Sequence, residues 1–270
     1  MIPQNVLLME SLESIFQGGK LNKKSYFFVL NISDKKQILI TGIEGKQMEI
    51  IEQDGTTKVC KAHSFHYPLN IELASGALVN TSIIICGGYG FLLHTSCYTF
   101  GQDHQWKFLS QMKIPRGSGT ASIPIPNGIW VTGNDNEAFN TTEIALLDGT
   151  IKDGPLLPEP RQNHCLIRYK STIFLIGGQK RGVYDEVTGL PKSTSTVWIF
   201  DAKEELKFVG YGPNMTNERG NVACGLFYSN HHGGRPVIVA ASSASSEYWD
   251  ITLPGSKWKE CSKSIKRFQH

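Results

Sequence analysis

Short apolar runs that end in one or two small residues recur along the chain. They lie at residues 38–42 (ILITG), 84–88 (IICGG), 129–133 (IWVTG), 174–178 (FLIGG) and 237–241 (VIVAA). An unbroken apolar run of this length is typical of a strand buried on both faces. The ends of successive runs are 46, 45, 45 and 63 residues apart. Three nearly equal intervals indicate an internal repeat.

Two further strand-like segments follow each run. The first lies at residues 48–51, 97–100, 142–145, 197–200 and 248–251. The second carries one bulky residue, which is Val59, Trp106, Ile151, Phe208 or Trp258. Turn residues such as Asp148-Gly149 separate the segments, and an arginine opens three of the units. Each unit therefore predicts four short strands, and regular four-stranded units are typical of β-propeller blades.

The unit resembles the kelch repeat. Its marks are a double glycine after an apolar strand, a later aromatic strand, and a tryptophan before a Pro-Arg junction. The best copies are 84–88 with Tyr98 and Trp106, and 174–178 with Trp198 and Phe208. Gly42 and Gly133 depart from the pattern because each follows a threonine. The resemblance covers about residues 25–270. It implies an all-β propeller of four-stranded antiparallel blades that acts as a binding platform, without catalytic residues and without a cofactor.

Five units are recognisable, and a sixth blade is missing or completed by the termini. The units are 25–70, 71–116, 117–161, 162–219 and 220–266. Residues 1–24 form a separate N-terminal segment, either a short helix or a closing strand. Arg267 and His270 have the spacing of Arg161 and His164, which open the fourth unit. The chain thus stops at what resembles the start of another unit.

Some residues recur at fixed positions of the repeat and are expected to be structural. They are Gly42, Gly87, Gly88, Gly133, Gly177, Gly178, Arg116, Arg161, Arg219, Trp106 and Trp258. The glycines allow close backbone approach near the propeller axis. The arginines have two interpretations: a repeated hydrogen bond or ion pair between blades, which we favour, or a ring of donors for an acidic peptide. The tryptophans are expected in the core between blades.

The resemblance implies a binding face built from the loops between the second and third strands and between blades. The 63-residue interval contains eighteen extra residues, five in 229–236 and thirteen in 179–195. Arginine and tyrosine in the longer insertion are favoured interface residues, although a solvated insertion without function is the alternative. The candidate contacts are Tyr89, Phe91, Leu92, Asn134, Phe139, Lys180, Arg181, Tyr184, Asp185 and Glu186.

Composition narrows the function classes. The 270 residues are 40% hydrophobic and only 19% charged, with 27 glycines, which favours strands and turns. A net charge of +3 argues against nucleic acid as the partner, and no apolar stretch is long enough to span a membrane. Each of the pairs His63/His66 and His231/His232 offers only two ligands, and a metal site needs three or four that converge. Nothing maps onto the copper site of galactose oxidase.

The compartment has two interpretations. No signal peptide is present, which makes the cytoplasm the default. Four glycosylation sequons begin at Asn31, Asn80, Asn140 and Asn214. Cys86 and Cys97 fall on neighbouring strands, and Cys165 and Cys224 on matching strands of adjacent units. The cysteines are either small core residues of a reduced protein or disulfides of a secreted one.

The sequence thus predicts a non-enzymatic kelch-repeat scaffold or adaptor that binds a protein partner. The first alternative is a secreted or cell-surface propeller that binds glycans or extracellular protein. A copper-dependent oxidase of the galactose oxidase type is the remote alternative.

Overall fold

The computed structural model describes residues 74–261, except 89–94, 102, 104, 118, 134–139, 230–233 and 243–244. Nearer the N-terminus it describes the backbone of four strands between residues 29 and 66. Every regular element among the described residues is a β-strand. The described residues contain no helix, and therefore no helix that is long and apolar enough to cross a membrane.

The strands of the first three sheets follow one another in chain order. The first sheet contains β1 (Val29–Asn31), β2 (Ile38–Thr41), β3 (Gln47–Gln53) and β4 (Cys60–His66). The second contains β5 (Ser75–Val79), β6 (Ser82–Cys86), β7 (Ser96–Phe100) and β8 (Trp106–Gln111). The third contains β9 (Ala121–Ile125), β10 (Gly128–Thr132), β11 (Glu143–Leu146) and β12 (Ile151–Asp153).

The remaining strands form two four-stranded sheets and one of three strands. They are β13 (Arg161–Gln162), β14 (Cys165–Tyr169), β15 (Thr172–Ile176), β16 (Gln179–Tyr184), β17 (Pro191–Ser193), β18 (Val197–Asp201), β19 (Lys207–Tyr211), β20 (Ala223–Ser229), β21 (Arg235–Ala241), β22 (Ser246–Asp250) and β23 (Lys259–Glu260). The fourth sheet has the order β14-β15-β18-β19, the fifth β20-β21-β22-β23, and the small sheet β13-β16-β17. The prediction of an all-β chain with antiparallel four-stranded sheets is confirmed.

The chain divides into two compact units. Unit 1 comprises residues 1–118, 124–129 and 145–151, and unit 2 comprises residues 119–123, 130–144 and 152–270. In unit 1, Ile83, Ile84 and Ile85 of β6 are almost wholly buried. In unit 2, Ile173 and Leu175 of β15 are buried in the same way. The second strand of these sheets has no solvent face, which explains its unbroken apolar sequence.

The core of unit 2 joins the fourth sheet to the fifth. Phe174 of β15 meets Trp249 of β22 edge to face, with ring centroids 5.4 Å apart. Trp249 in turn contacts the buried Trp258 at 5.9 Å. Ile176, Leu226 and Ile238 belong to the same buried cluster. Aromatic pairs of this geometry add to the stabilisation from burial alone.

The double glycines end the buried strands for two physical reasons. Gly87 and Gly178 have φ angles of +71° and +94°, a region that disfavours residues with a side chain. A Cβ on Gly87 would lie 2.4 Å from the carbonyl oxygen of Arg116. The following amide donates to that same oxygen, because Gly88 N lies 2.7 Å from it, and Gly178 N lies 2.8 Å from the Arg219 carbonyl. The same backbone contact therefore occurs in both units.

A residue with a positive φ angle also recurs in the first turn of three sheets, at positions that the sequence analysis did not identify. Asn80 and Lys170 are the first residues after β5 and β14, with φ angles of 54° and 57°, and Asn127 is the second residue after β9, with a φ of 60°. Two-residue hairpin turns require such a left-handed residue, and asparagine tolerates it well. Asn80 therefore forms the exposed tip of the β5–β6 hairpin.

The two insertions have different structures. In the fifth sheet, Cys224 pairs with Ala240, whereas in the fourth sheet the corresponding Cys165 pairs with Ile176. The five extra residues thus lengthen the β20–β21 hairpin, including its strands. The thirteen extra residues in 179–195 were expected to form a loop. They instead form the antiparallel strands β16 and β17, because their ends find backbone partners on neighbouring segments.

Candidate functional site

The candidate site is the hairpin of residues 179–193, formed by β16, its turn and β17. It leaves the end of β15 at Gly177-Gly178 and returns to β18. Its two strands pair from Gln179 with Ser193 to Tyr184 with Pro191, with a register shift between these pairs. On the other side of β16, Arg161 and Gln162 pair with Lys180 and Gln179. The hairpin is thus a strand pair docked on the segment that opens the fourth predicted unit.

The base of the hairpin is held by hydrogen bonds. Gln179 Oε1 accepts from Asn163 Nδ2 at 2.9 Å and from Gln162 Nε2 at 3.2 Å. The amide of Thr194 donates to the Gly178 carbonyl at 3.0 Å, and the Thr194 carbonyl accepts from the Arg219 amide at 3.1 Å. Buried backbone groups are therefore paired on both sides of the base, as a stable strand pair requires.

A buried arginine supports the same base. Arg161 Nη2 lies 2.5 Å from Glu159 Oε1, and its Nη1 donates to the Gly177 carbonyl at 2.6 Å. The guanidinium also lies 4.1 Å from the ring centroid of Trp198. Burial lowers the pKa of Arg161, and the charge and hydrogen bond of Glu159 oppose that shift. Lys180 reaches the other oxygen of Glu159 at 3.2 Å, so this candidate contact residue belongs to the supporting network.

The turn is shaped by Asp185. Its Oδ1 accepts from the amides of Val187 and Thr188 at 3.1 and 2.8 Å, and from the Thr188 hydroxyl at 2.9 Å. The hydrogen bonds from Thr188 are the main reason why the pKa of Asp185 lies below its ordinary value. Gly189 closes the turn with a φ of 65°, and its amide donates to the Asp185 carbonyl. Asp185 therefore fixes the shape of the tip.

The tip presents apolar side chains to solvent. Val187 is 94% exposed, Leu190 63% and Tyr184 54%, and Val183 is exposed as well. Val187 and Leu190 were not among the residues predicted from sequence, although apolar residues within a polar insertion are the pattern that marks them. Arg181 is half-buried and Glu186 exposed. The hairpin is thus braced, meaning that hydrogen bonds hold its base, and its outer end is apolar with charged residues beside it.

The three repeated arginines all lie in the interior. Arg116, Arg161 and Arg219 are at most 2% exposed. Arg219 Nη2 bonds Glu247 Oε1 at 2.8 Å, and its Nη1 donates to the Ser245 carbonyl at 2.5 Å. Burial raises the pKa of Glu247, but hydrogen bonds from the Thr216 amide, Arg219 and the Asn217 amide outweigh it and lower the pKa overall. Such contacts are those expected of structural arginines.

A buried histidine lies beside the hairpin base. His164 Nε2 is 2.6 Å from the hydroxyl of Thr132, which also lies 3.3 Å from the Ala121 carbonyl. Burial, reinforced by the positive charge of Arg161, lowers the pKa of His164 to about 3. The imidazole is therefore neutral at physiological pH and acts as a packing and hydrogen-bonding group.

Other predicted residues fall where the structure gives no description. Tyr89, Phe91, Leu92, Asn134, Phe139 and Gly42 lie outside the described residues, as do the side chains of His63, His66, His231 and His232. Among the side chains that are described, no group of three or more His, Cys, Asp and Glu residues has the arrangement of a metal site.

Two disulfides join cysteines within the described part of the chain. Cys86 of β6 and Cys97 of β7 are cross-strand partners in the second sheet and are bonded to each other. Cys165 of β14 is bonded to Cys224 of β20 and so links the fourth sheet to the fifth. The second bond closes 59 residues of chain. Of the two states open to these cysteines, the structure has the oxidised one.

Comparison with known proteins identifies the fold. No family model and no curated protein matches the chain. The solved structure of YjhT superposes with a TM-score of 0.64, covering 89% of this chain and 85% of that chain, at 13% sequence identity. Because the identity is so low, this likeness establishes a shared all-β fold alone.

Proposed function

We propose that this chain is a non-enzymatic kelch-type β-propeller that binds a protein partner through the 179–193 hairpin, in an oxidising compartment. The observation that carries the proposal is the exposed apolar tip on a braced base. Apolar side chains this exposed gain free energy only when a partner covers them, roughly 1.5–3 kcal/mol for each fully buried Val or Leu. Val187 and Leu190 are therefore the proposed anchors.

The braced base supports a role in recognition. A hairpin whose ends are hydrogen-bonded has already lost most of its conformational freedom, so ordering it at an interface costs little. Tyr184 beside Val187 and Leu190 is also of a residue type that is enriched at interface centres. An unused insertion needs neither feature.

The shape of the site favours a protein over a small molecule. Small ligands bind in concave sites that enclose most of their surface. Here the residues from Gly182 to Leu190 are all exposed, so a ligand would have to supply the concave surface. A groove on a protein partner meets that requirement.

The disulfides support the oxidising compartment. Cytosolic proteins keep their thiols reduced, and disulfides persist in secreted and cell-surface proteins. The buried Cys86–Cys97 bond and the Cys165–Cys224 bond between sheets are both structural in position. We therefore propose secretion or surface display in place of the cytoplasmic default, and an extracellular protein as the partner.

The kelch assignment rests on repetition. Three features of the described residues support it: five four-stranded sheets, double glycines at equivalent strand ends, and buried arginines at equivalent positions. The likeness to YjhT in fold is compatible with that assignment.

Affinity capture tests the proposal. The full chain is secreted from cultured cells and incubated with extracellular fluid, and bound proteins are quantified. We compare the wild type with a variant in which residues 181–191 are replaced by a two-residue turn. The matched control is Leu253→Ser, because Leu253 is an exposed apolar residue elsewhere in unit 2. A specific partner should be lost with the shortened hairpin and kept with the control; retention of every partner by the shortened variant overturns the proposal.

A further inference from the structure

We propose that Asn80 and Asn214 carry N-linked glycans and that Asn140 does not. All three begin an Asn-x-Ser/Thr sequon, the acceptor sequence for this modification. The proposal rests on the oxidising secretory route proposed above and is independent of the partner. The three asparagines differ in whether their side-chain amide nitrogen, which would carry the sugar, faces solvent or makes a hydrogen bond within the fold.

Asn80 has the most accessible amide. It forms the tip of the β5–β6 hairpin with a φ of 54°, and both it and Thr81 are exposed. Its side chain makes no hydrogen bond to the described part of the chain. Ser82, which completes the sequon, is the first residue of β6. A bulky substituent at this turn extends into solvent without displacing a packed group.

Asn214 is exposed for a different reason. The neighbouring Met215 is buried, and Trp258 Nε1 donates to the Pro213 carbonyl at 2.9 Å. These contacts hold the backbone on both sides and leave the side chain of Asn214 on the surface. The sequon is completed by Thr216, whose amide donates to Glu247 at 2.7 Å.

In Asn140, the side-chain nitrogen that would carry a glycan already makes a hydrogen bond within the fold. Its Nδ2 donates to the Leu157 carbonyl at 3.0 Å, and its own carbonyl accepts from the Leu157 amide at 2.8 Å. Asn140 is half-buried and Leu157 is almost fully buried. A sugar on Nδ2 would have to enter this packed contact, so a folded chain with a glycan there must open the contact between Asn140 and the almost fully buried Leu157.

The reaction is a glycosyl transfer. Asparagine Nδ2 forms a bond to the anomeric carbon of an oligosaccharide, and the bond from that carbon to the pyrophosphate of a lipid-linked donor breaks. The lipid pyrophosphate leaves, and the amide loses one proton. The remaining N–H of the glycosylated amide stays available as a donor.

Site-specific mapping tests the proposal. The full chain is expressed in eukaryotic cells behind a cleavable secretion leader, and glycans are removed enzymatically in heavy-oxygen water so that each formerly occupied asparagine becomes a labelled aspartate. We expect the label at Asn80 and Asn214 in most molecules and no label at Asn140. Ser82→Ala should remove one glycan while keeping the turn residue Asn80. Asn80→Gly should do the same, because glycine accepts the positive φ.

Three results overturn the proposal: no label at Asn80, no label at Asn214, or a label at Asn140. Disulfide mapping and partner capture on the same secreted material keep this failure distinct from failure of the proposed function. A chain with both disulfides and an intact partner interaction but without these glycans contradicts only the glycosylation proposal.

Discussion

The base and the tip of the 179–193 hairpin differ in the polarity and the burial of their side chains. At the base, Gln179, Arg161 and Thr194 make hydrogen bonds to neighbouring segments and sit among buried residues. At the tip, Val187 and Leu190 are apolar and lie in solvent. The base has the composition that folding favours, whereas the tip has a composition that folding alone does not explain.

The contrast separates stability from recognition. If the base serves the fold and the tip serves a partner, substitutions at the base should lower the free energy of unfolding. Substitutions at the tip should leave it unchanged and lower affinity. The following predictions test that division, from the largest expected effect on stability to the smallest.

Arg161→Ala should cause the largest loss. It removes a buried guanidinium and leaves the Gly177 carbonyl and Glu159 without its hydrogen bonds. Each hydrogen bond to a charged group is worth roughly 1.5–3 kcal/mol, so we expect a loss of about 3 kcal/mol or more, measured by chemical denaturation. Lys180→Ala is the matched control, since its half-exposed ion pair with Glu159 is worth less than about 1 kcal/mol. Equal losses from the two variants would show that Arg161 does not brace the hairpin.

Acidification should destabilise the base through His164. Its pKa is about 3 in the folded protein and about 6.5 when unfolded, so the unfolded chain binds the proton first as pH falls. The stability associated with neutral His164 is therefore complete above about pH 6.5 and is lost below it, by at most about 1.4 kcal/mol per pH unit. Comparing His164→Asn with wild type between pH 7 and 5 isolates this slope. A wild-type slope identical to that of the variant would contradict the assignment.

Gly178→Ala should cost at least about 2 kcal/mol. The substitution places a side chain at a φ of 94°, and its Cβ would lie 2.6 Å from the Gln162 carbonyl oxygen. Gly189→Ala at the tip has a φ of 65° but open space around the Cβ, so it should cost only about 1 kcal/mol. Thermal unfolding of both variants measures the difference. If Gly189→Ala is the more damaging, the tip is more constrained than the base.

Asp185→Ala should have a small and local effect. It removes three hydrogen bonds from an exposed turn, where water can take the place of the lost partner. Amide hydrogen exchange should quicken at Val187 and Thr188 and stay unchanged in β15. Glu186→Ala, at a neighbouring exposed residue, should change stability by no more than about 0.5 kcal/mol. Faster exchange throughout the fourth sheet would contradict a local role.

Much of the fold follows from the sequence because it depends on repetition. The apolar runs predict the buried second strands, and the double glycines mark the ends where Gly87 and Gly178 need positive φ. The interval lengths also locate both insertions. The apolar strand recurs in every unit and the double glycine in two of them, so this part of the pattern is visible without coordinates.

The site was only partly predictable because it does not repeat. The position of the insertion was evident, and Tyr184 was among the predicted residues. The pairing of β13 with β16 depends on a two-residue strand, Arg161–Gln162, that has no periodic signature. Val187 and Leu190 are apolar residues within a polar insertion, but that pattern alone does not show that they are exposed, which is a property of the folded hairpin. The disulfides required the register of β6 and β7 and the proximity of β14 and β20.

The affinity of the tip for the captured partner tests the central claim most directly. We compare Val187→Ser/Leu190→Ser with Leu156→Ser/Leu253→Ser, which alters two apolar residues that are also exposed. Both double variants should unfold within about 0.5 kcal/mol of wild type. The tip variant should bind at least about tenfold more weakly, equivalent to about 1.4 kcal/mol, and the control should bind as wild type does. Wild-type affinity of the tip variant would contradict the account.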